Sequence, residues 1–165
     1  TFYIICRFFI NYIEVKIVLN RIFIDASVLV KLFDDSAPFE QAAARNLIGD
    51  VDNATLVTSA LSIADFYEEV TTRFNRSLET VTAKQALNDL TELTVVQLDS
   101  DLVLAATETQ TSLNIQMREA ITIEAALTSG CDLIVTEAFD QKQTIKGIQI
   151  ESLKELMNAK ENGND

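Results

Sequence analysis

A chain of 165 residues, 48 % apolar and with only four glycines and one proline, can bury one sizeable core and leaves little room for long irregular linkers. Histidine is absent, which excludes Ser-His-Asp and Cys-His nucleophilic arrangements and most zinc sites, so any catalysis must rest on carboxylates, hydroxyls, lysines or an oxygen-bound metal. The net charge of −12 argues against broad nonspecific binding to a polyanion, without excluding a local basic rim around an acidic cleft.

The two cysteines, Cys6 and Cys131, lack metal-ligand spacing and suggest no disulfide framework, which fits a reducing, cytoplasmic setting. Residues 1–19, TFYIICRFFINYIEVKIVL, are apolar but interrupted by Arg7, Asn11, Glu14 and Lys16. The uninterrupted runs fall short of the roughly 20 residues that a bilayer span requires, and no small-residue cleavage pattern follows an apolar core. Residues 1–20 are therefore expected to be an apolar extension outside the natural fold, with a start at Val18 or Leu19 placing the first strand at the N-terminus. A membrane-surface anchor is the alternative; otherwise no membrane partner is expected. One domain is expected over residues 21–157, followed by a polar, frayed tail over 158–165.

Arg21-Ile22-Phe23-Ile24-Asp25 is a short β-branched and aromatic run ending in a carboxylate, as a buried strand would be. Ser27 suits the N-cap of a helix from Val28 to Phe33, and Pro38 the first turn of a second helix that runs to about Ile48 and stops at Gly49. Leu56-Val57-Thr58 reads as a strand, followed by helices over about Ser62–Phe74 and Val81–Leu93. A strand over Val95–Leu98 comes next, then a helix from Asp101 to Gln110 capped by Asp99 or Ser100, and another from Met117 to Leu127 closed by Gly130. Asp132–Thr136 and Gly147–Ile150 are the last strands. Strands separated by helical segments predict an α/β domain with a parallel sheet, right-handed crossovers and helices on both faces. Ligands in such sheets sit beyond the carboxyl ends of the strands, where Asp25 and Thr136 fall.

Asp25, placed directly after an apolar strand, is costly to bury unless it is paired, hydrogen-bonded or metal-bound; it can also serve simply as a helix cap. Glu119 opens a helix that is apolar nearly all round, where the helix dipole alone favours a negative charge and a metal-ligand role is the alternative. Asp65 lies on a helix whose core stripe is Ile63, Tyr67, Val70 and Phe74, so it points away from the core beside Glu69 and Thr72. That face is solvated unless it meets the strand ends. There is no glycine-rich phosphate loop between strand and helix. A receiver-like phospho-acceptor domain would share the Asp after a strand and the later Thr, but the early acidic pair and the Lys ending a late strand are missing.

Three segments taken together, FIDASVLVKL, TSALSIADFYEEV and MREAITIEAALTSGCDLIVTEAFD, resemble the successive motifs of PIN-domain ribonucleases, including VapC-type toxins. The resemblance spans about Arg21 to Ile150 and implies a three-layer PIN-like sandwich with a central parallel sheet flanked by helices. It implies that Asp25 is the acid ending the first strand, with Ser27 beside it. Asp65 then occupies the second acidic position, Glu119 stands where the family has Asp, and Thr136 matches the Thr of the family's Thr-x-Asp motif. The Asp of that motif is Ala138 here. If the residues after Thr136 turn helical, Asp140 lies about 200° round from Ala138, whereas Glu137 is about 100° off and long enough to substitute.

By this resemblance the chain is a metal-dependent endoribonuclease, the toxin of a toxin–antitoxin pair, holding Mg²⁺ or Mn²⁺ on Asp25, Glu119 and Glu137, with Asp65 and Thr136 completing the catalytic set. Its implied partners are an RNA substrate, a cognate antitoxin and a second copy of the chain. Arg73, Arg76, Arg118 and Lys142 are candidates for phosphate contacts, each equally an ordinary surface residue. Ala138 and the acidic balance support a different class of function, a PIN-like scaffold with weakened catalysis that binds RNA or protein.

Overall fold

Strand β1 (Arg21–Ile24) feeds two cores at once, because successive side chains leave opposite faces of a sheet. Ile22 and Ile24 join one buried cluster and Phe23 the other. The same division runs through β2 (Thr55–Ser59), with Leu56 on one side and Val57 on the other, and through β4 (Leu133–Val135), with Leu133 and Val135 opposed to Ile134. Strands buried on both faces need continuous rather than alternating apolar sequence, which is what these segments carry. The computed structural model describes residues 21–49, 54–74 and 77–162, with side chains through residue 159, so the expectations about residues 1–20, Cys6 and Arg76 lie outside the described residues.

The six strands are ordered β3-β2-β1-β4-β6-β5, with β3 at Thr94–Val96, β5 at Gln143–Ile145 and β6 at Ile148–Glu151. All neighbours are parallel except β5 and β6, which form an antiparallel edge hairpin. Helices α1 (Ala26–Leu29), α2 (Pro38–Gly49), α3 (Ala60–Glu68), α4 (Thr80–Leu90) and α7 (Leu153–Asn162) include the residues packed with the first cluster. Helices α5 (Ser100–Leu113) and α6 (Met117–Thr128) cover the other face. The result is the three-layer sandwich with a mainly parallel sheet expected from the sequence.

Several boundaries differ for local reasons. The N-cap of α1 is Asp25, not Ser27, and α1 tightens after one turn into a 3₁₀ turn over Val30–Phe33. The Ser62–Phe74 helix begins earlier, capped by Ser59, whose Oγ accepts from Ser62 N at 3.0 Å, and it widens into a π turn over Glu69–Arg73. Its buried stripe is Ser62, Phe66 and Val70, with Ile63, Tyr67 and Phe74 on the flank. The chain remains helical to Asn162 where a frayed tail was expected from residue 158. Ser152 and Glu155 explain its start: Ser152 N donates to Glu155 Oε2 at 2.8 Å while Glu155 N donates to Ser152 Oγ at 3.2 Å, a reciprocal cap written in the sequence as Ser-x-x-Glu.

The β5–β6 hairpin is pinned to the helical layer by a buried carboxylate. Glu124 on α6 is 8 % exposed and accepts at Oε1 from Lys146 Nζ at 2.6 Å and from Thr109 Oγ1 at 2.5 Å. Lys146 sits in the hairpin turn with a left-handed φ of 50°, so the ion pair fixes the turn against α5 and α6. Burial pushes the Glu124 carboxyl up, but the Lys146 and Thr109 hydrogen bonds and the attraction of the ammonium outweigh it and leave the pKa below its ordinary value near 4.5.

Two outcomes are expected. Phe66, fully buried with its ring centroid 5.7 Å from that of Phe33, anchors α3 in the first core. Phe66→Ala should lower the unfolding free energy by about 3–5 kcal/mol, read from urea denaturation. A carboxylate with a lowered folded pKa stabilises fully above its unfolded value and loses that contribution as pH falls through the folded one. The stability gap between the wild type and Glu124→Gln at pH 7 should therefore close on acidification below about pH 4.5 in urea titrations at successive pH values.

Candidate active site

The sheet order reverses between β1 and β4: from β1 the chain builds outward through β2 and β3, then returns to lay β4 on the other side. The crevice beyond the carboxyl ends of these two strands is where an open α/β sheet leaves room for a ligand. Register pairs Ile24 with Val135, and Asp25 N donates to Val135 O at 3.1 Å, so Asp25 and Thr136 emerge side by side.

Their side chains form one hydrogen-bonded unit. Asp25 Oδ2 accepts from Ser27 Oγ at 2.8 Å and from Thr136 Oγ1 at 2.9 Å, with Ser27 N at 3.5 Å. Thr136 is 1 % exposed; its Oγ1 also accepts from Ala138 N at 3.1 Å and lies 3.3 Å from Ser27 Oγ. Ser27 Oγ in turn accepts from Glu137 N at 3.0 Å. Helix capping and site construction are thus one arrangement: Oδ2 is committed to the scaffold, while Oδ1 accepts no hydrogen bond among the described residues.

A cleft of about 320 Å³ opens over this unit, lined by Asp25, Ser27 and Thr136 from the strand ends, Asp65, Glu68, Glu69 and Arg73 from α3 and its π turn, and Gln116, Arg118 and Glu119 from the start of α6. Asp25, Asp65, Glu119 and Thr136 therefore share one cavity. Glu119 is the third residue of α6, and its Oε2 accepts from Gln116 N at 2.8 Å in a capping box; the helix-start role anticipated for it is real, and Oε1 is left over. Asp65 faces the cleft and not bulk solvent, and is paired with Arg118 across it. Arg73 pairs within its own helical segment, with Glu68 at 3.5 Å and Glu69 at 3.2 Å.

Glu137 does not join this group. Its Oε1 accepts from Leu153 N at 2.9 Å, reaching the N-terminus of α7, and it does not line the cleft. The chain bends irregularly after Thr136 over residues 137–141, so a helical phase never applied there, and the position at Ala138 stays without a carboxylate. Lys142 is drawn away too, its Nζ 2.5 Å from the buried Glu151. Cys131 is buried, and burial pushes its thiol up to about 11, which leaves it neutral and unreactive. Glu68, Glu69 and Gln116 were not anticipated at the site; Glu68, three residues after Asp65, and the Gln-x-x-Glu spacing before α6 are the signals that point to them.

The donors around the cleft are all oxygens, a set suited to a hard cation such as Mg²⁺ or Mn²⁺ that keeps several of its own waters. Among the described residues, no three acidic side chains come close enough together to enclose an ion.

A six-stranded, mainly parallel sheet with an acidic cleft at its switch point is the architecture of a PIN domain. The PIN-domain family model matches residues 22–146, and the chain belongs to that family. Among solved structures it is similar to VapC20 of Mycobacterium tuberculosis, a sarcin–ricin loop cleaving toxin, at 19 % identity and TM-score 0.55, covering 72 % of this chain and 89 % of that one. It is also similar to VapBC2 from Rickettsia felis, bound to a DNA fragment from its promoter, at 15 % identity and TM-score 0.60 over 80 % of this chain and 98 % of that one. The DNA-bound VapBC of Salmonella typhimurium matches at 13 % identity and TM-score 0.59, over 81 % and 98 % of the two chains. No curated protein sequence matches the chain. Among the described residues no helix is long and apolar enough to cross a membrane.

Because Thr136 Oγ1 donates to Asp25 and accepts from Ala138 N, Thr136→Val should cost about 0.5–1.5 kcal/mol of unfolding free energy through the loss of these part-buried hydrogen bonds. Thr136→Ser, which keeps the hydroxyl, should recover most of that loss in the same urea titration.

Proposed function

We propose that this PIN-domain protein is a metal-dependent endoribonuclease, the toxin half of a toxin–antitoxin pair acting in the cytoplasm, with an antitoxin protein and a second copy of the chain as partners. The observation that carries the reading is the Asp25 carboxylate, anchored by Ser27 and Thr136 through one oxygen and open through the other, in a cleft that Glu119 and Asp65 also line. Mg²⁺ or Mn²⁺ would be held by Asp25 and Glu119, each fixed through one carboxylate oxygen by hydrogen bonds that leave the other oxygen over. When bound, such a cation supplies an activated water and charge stabilisation at the phosphodiester, chemistry that needs no histidine. The residues of the chain do the positioning: Thr136 and Ser27 hold Asp25 in one orientation, the capping box holds Glu119, and Asp65 adds negative charge from the opposite wall. Asp25→Asn should abolish Mn²⁺-dependent cleavage of a mixed-sequence RNA while the fold survives; undiminished cleavage would move the chemistry to another site.

A second reading, a PIN scaffold with little catalysis, is favoured by Ala138 together with the engagement of Glu137 at Leu153. The two readings separate at Ala138→Asp. A carboxylate added there should tighten Mn²⁺ binding roughly tenfold or more in calorimetry and strengthen RNA cleavage, because affinity at oxygen sites follows the count of charged ligands. Binding of no metal by either protein would favour the scaffold.

A further inference from the structure

Five carboxylates and two guanidinium groups line the cleft, a formal surplus of three negative charges that repels a phosphodiester. The two arginines are not equivalent. Arg73 pairs with acids of its own helical segment, at positions four and five residues back, the ordinary arrangement of a surface helix. Arg118 instead spans from the first turn of α6 to Asp65 on α3, joining two walls of the cavity. Its chain neighbour Glu119 is one of the proposed metal ligands, so Arg118 stands within reach of the charge that a bound cation would bring.

Resting on the metal-dependent reading above, we propose that Arg118 is the substrate-phosphate ligand of the cleft, parked on Asp65 until a divalent cation held at Asp25 and Glu119 repels its guanidinium from that carboxylate. Several observations support the exchange. Arg118 is 59 % exposed at its side chain, free enough to turn, whereas Asp65 at 21 % is held in the wall. A dication held at Glu119 would repel the guanidinium of the residue next to it in the chain and so weaken its hold on Asp65. A planar guanidinium released beside Glu119 offers the paired donors that suit a phosphate. The acidic cleft then becomes receptive to RNA only in its metal-loaded state, in which one dication lowers its formal surplus from three negative charges to one.

The test compares the wild type, Arg118→Ala, Arg118→Lys and Asp65→Asn with the double variant Asp65→Asn/Arg118→Ala. Mn²⁺ is titrated by calorimetry without RNA. Removing a half-exposed positive charge should tighten Mn²⁺ binding about three- to tenfold in Arg118→Ala, and less in Arg118→Lys, which keeps the charge. RNA affinity is then read without metal by anisotropy of a short labelled single strand over a series of salt concentrations. Asp65→Asn should strengthen binding more in the presence of Arg118 than in its absence, and Arg118→Ala should lower the salt slope of the Asp65→Asn protein by about 0.7, one phosphate contact. If Arg118→Ala binds Mn²⁺ as the wild type does, or if the Asp65→Asn gain is the same with and without Arg118, the exchange is wrong and the metal-dependent reading stands. If none of the five proteins binds Mn²⁺, both fall together.

Discussion

The hydrogen bond from Thr136 to Asp25 joins the ends of two adjacent strands that are 111 residues apart in the chain, and the site depends on it. A carboxylate at the end of a buried strand needs donors, and the protein supplies them from both sides of the switch point: Ser27 from the turn that follows β1, Thr136 from the turn that follows β4. The same hydroxyls accept the Glu137 and Ala138 amides, so the loop after β4 is threaded onto the carboxylate unit. Local capping, long-range register and cleft geometry are therefore one network, and a perturbation of any member reaches the others.

This network can be exacting because the sheet under it is rigid. Phe23, Ile24, Leu133, Ile134 and Val135 are fully buried, and the two faces of the sheet pack against separate helical layers. Sliding β1 by one residue against β4 would send Phe23 and Ile24 to the opposite layers, so the core packing of β1 enforces the register that places Asp25 beside Thr136. Two ion pairs between exposed lysines and buried carboxylates, Lys146 with Glu124 and Lys142 with Glu151, tie the β5–β6 edge and its preceding loop to that core.

Charge organises the upper half of the molecule in a different way. The α3 wall presents Asp65, Glu68 and Glu69 on one helical face, and arginines at 73 and 118 compensate part of it. The partners are mostly exposed, so these pairs contribute little to stability. Asp25 is the contrast, since its scaffold bonds come from the half-buried Ser27 and the buried Thr136 and engage only one of its oxygens.

Five of the six strands, their parallel arrangement and the placing of Asp25 and Thr136 at strand carboxyl ends were legible in the sequence, whereas the antiparallel edge strand β5 was not. Doubly buried strands must be continuous apolar runs, and a polar residue ending such a run has to face the open edge of the sheet. The reciprocal cap at Ser152 and Glu155 was equally open to reading, and shows that the helix through Asn162 is a local decision of the chain. The destinations of the long charged side chains were decided by tertiary structure alone. Glu137 could have turned toward the cleft or toward the free amides at the start of α7, and only the packing of the finished fold brought Leu153 N to 2.9 Å. Arg118 and Asp65 likewise meet because α3 and α6, which sequence places 50 residues apart, form opposite walls of one cleft. Backbone pattern is set by short-range periodicity and burial, but a flexible charged side chain takes whichever partner the finished fold delivers to it.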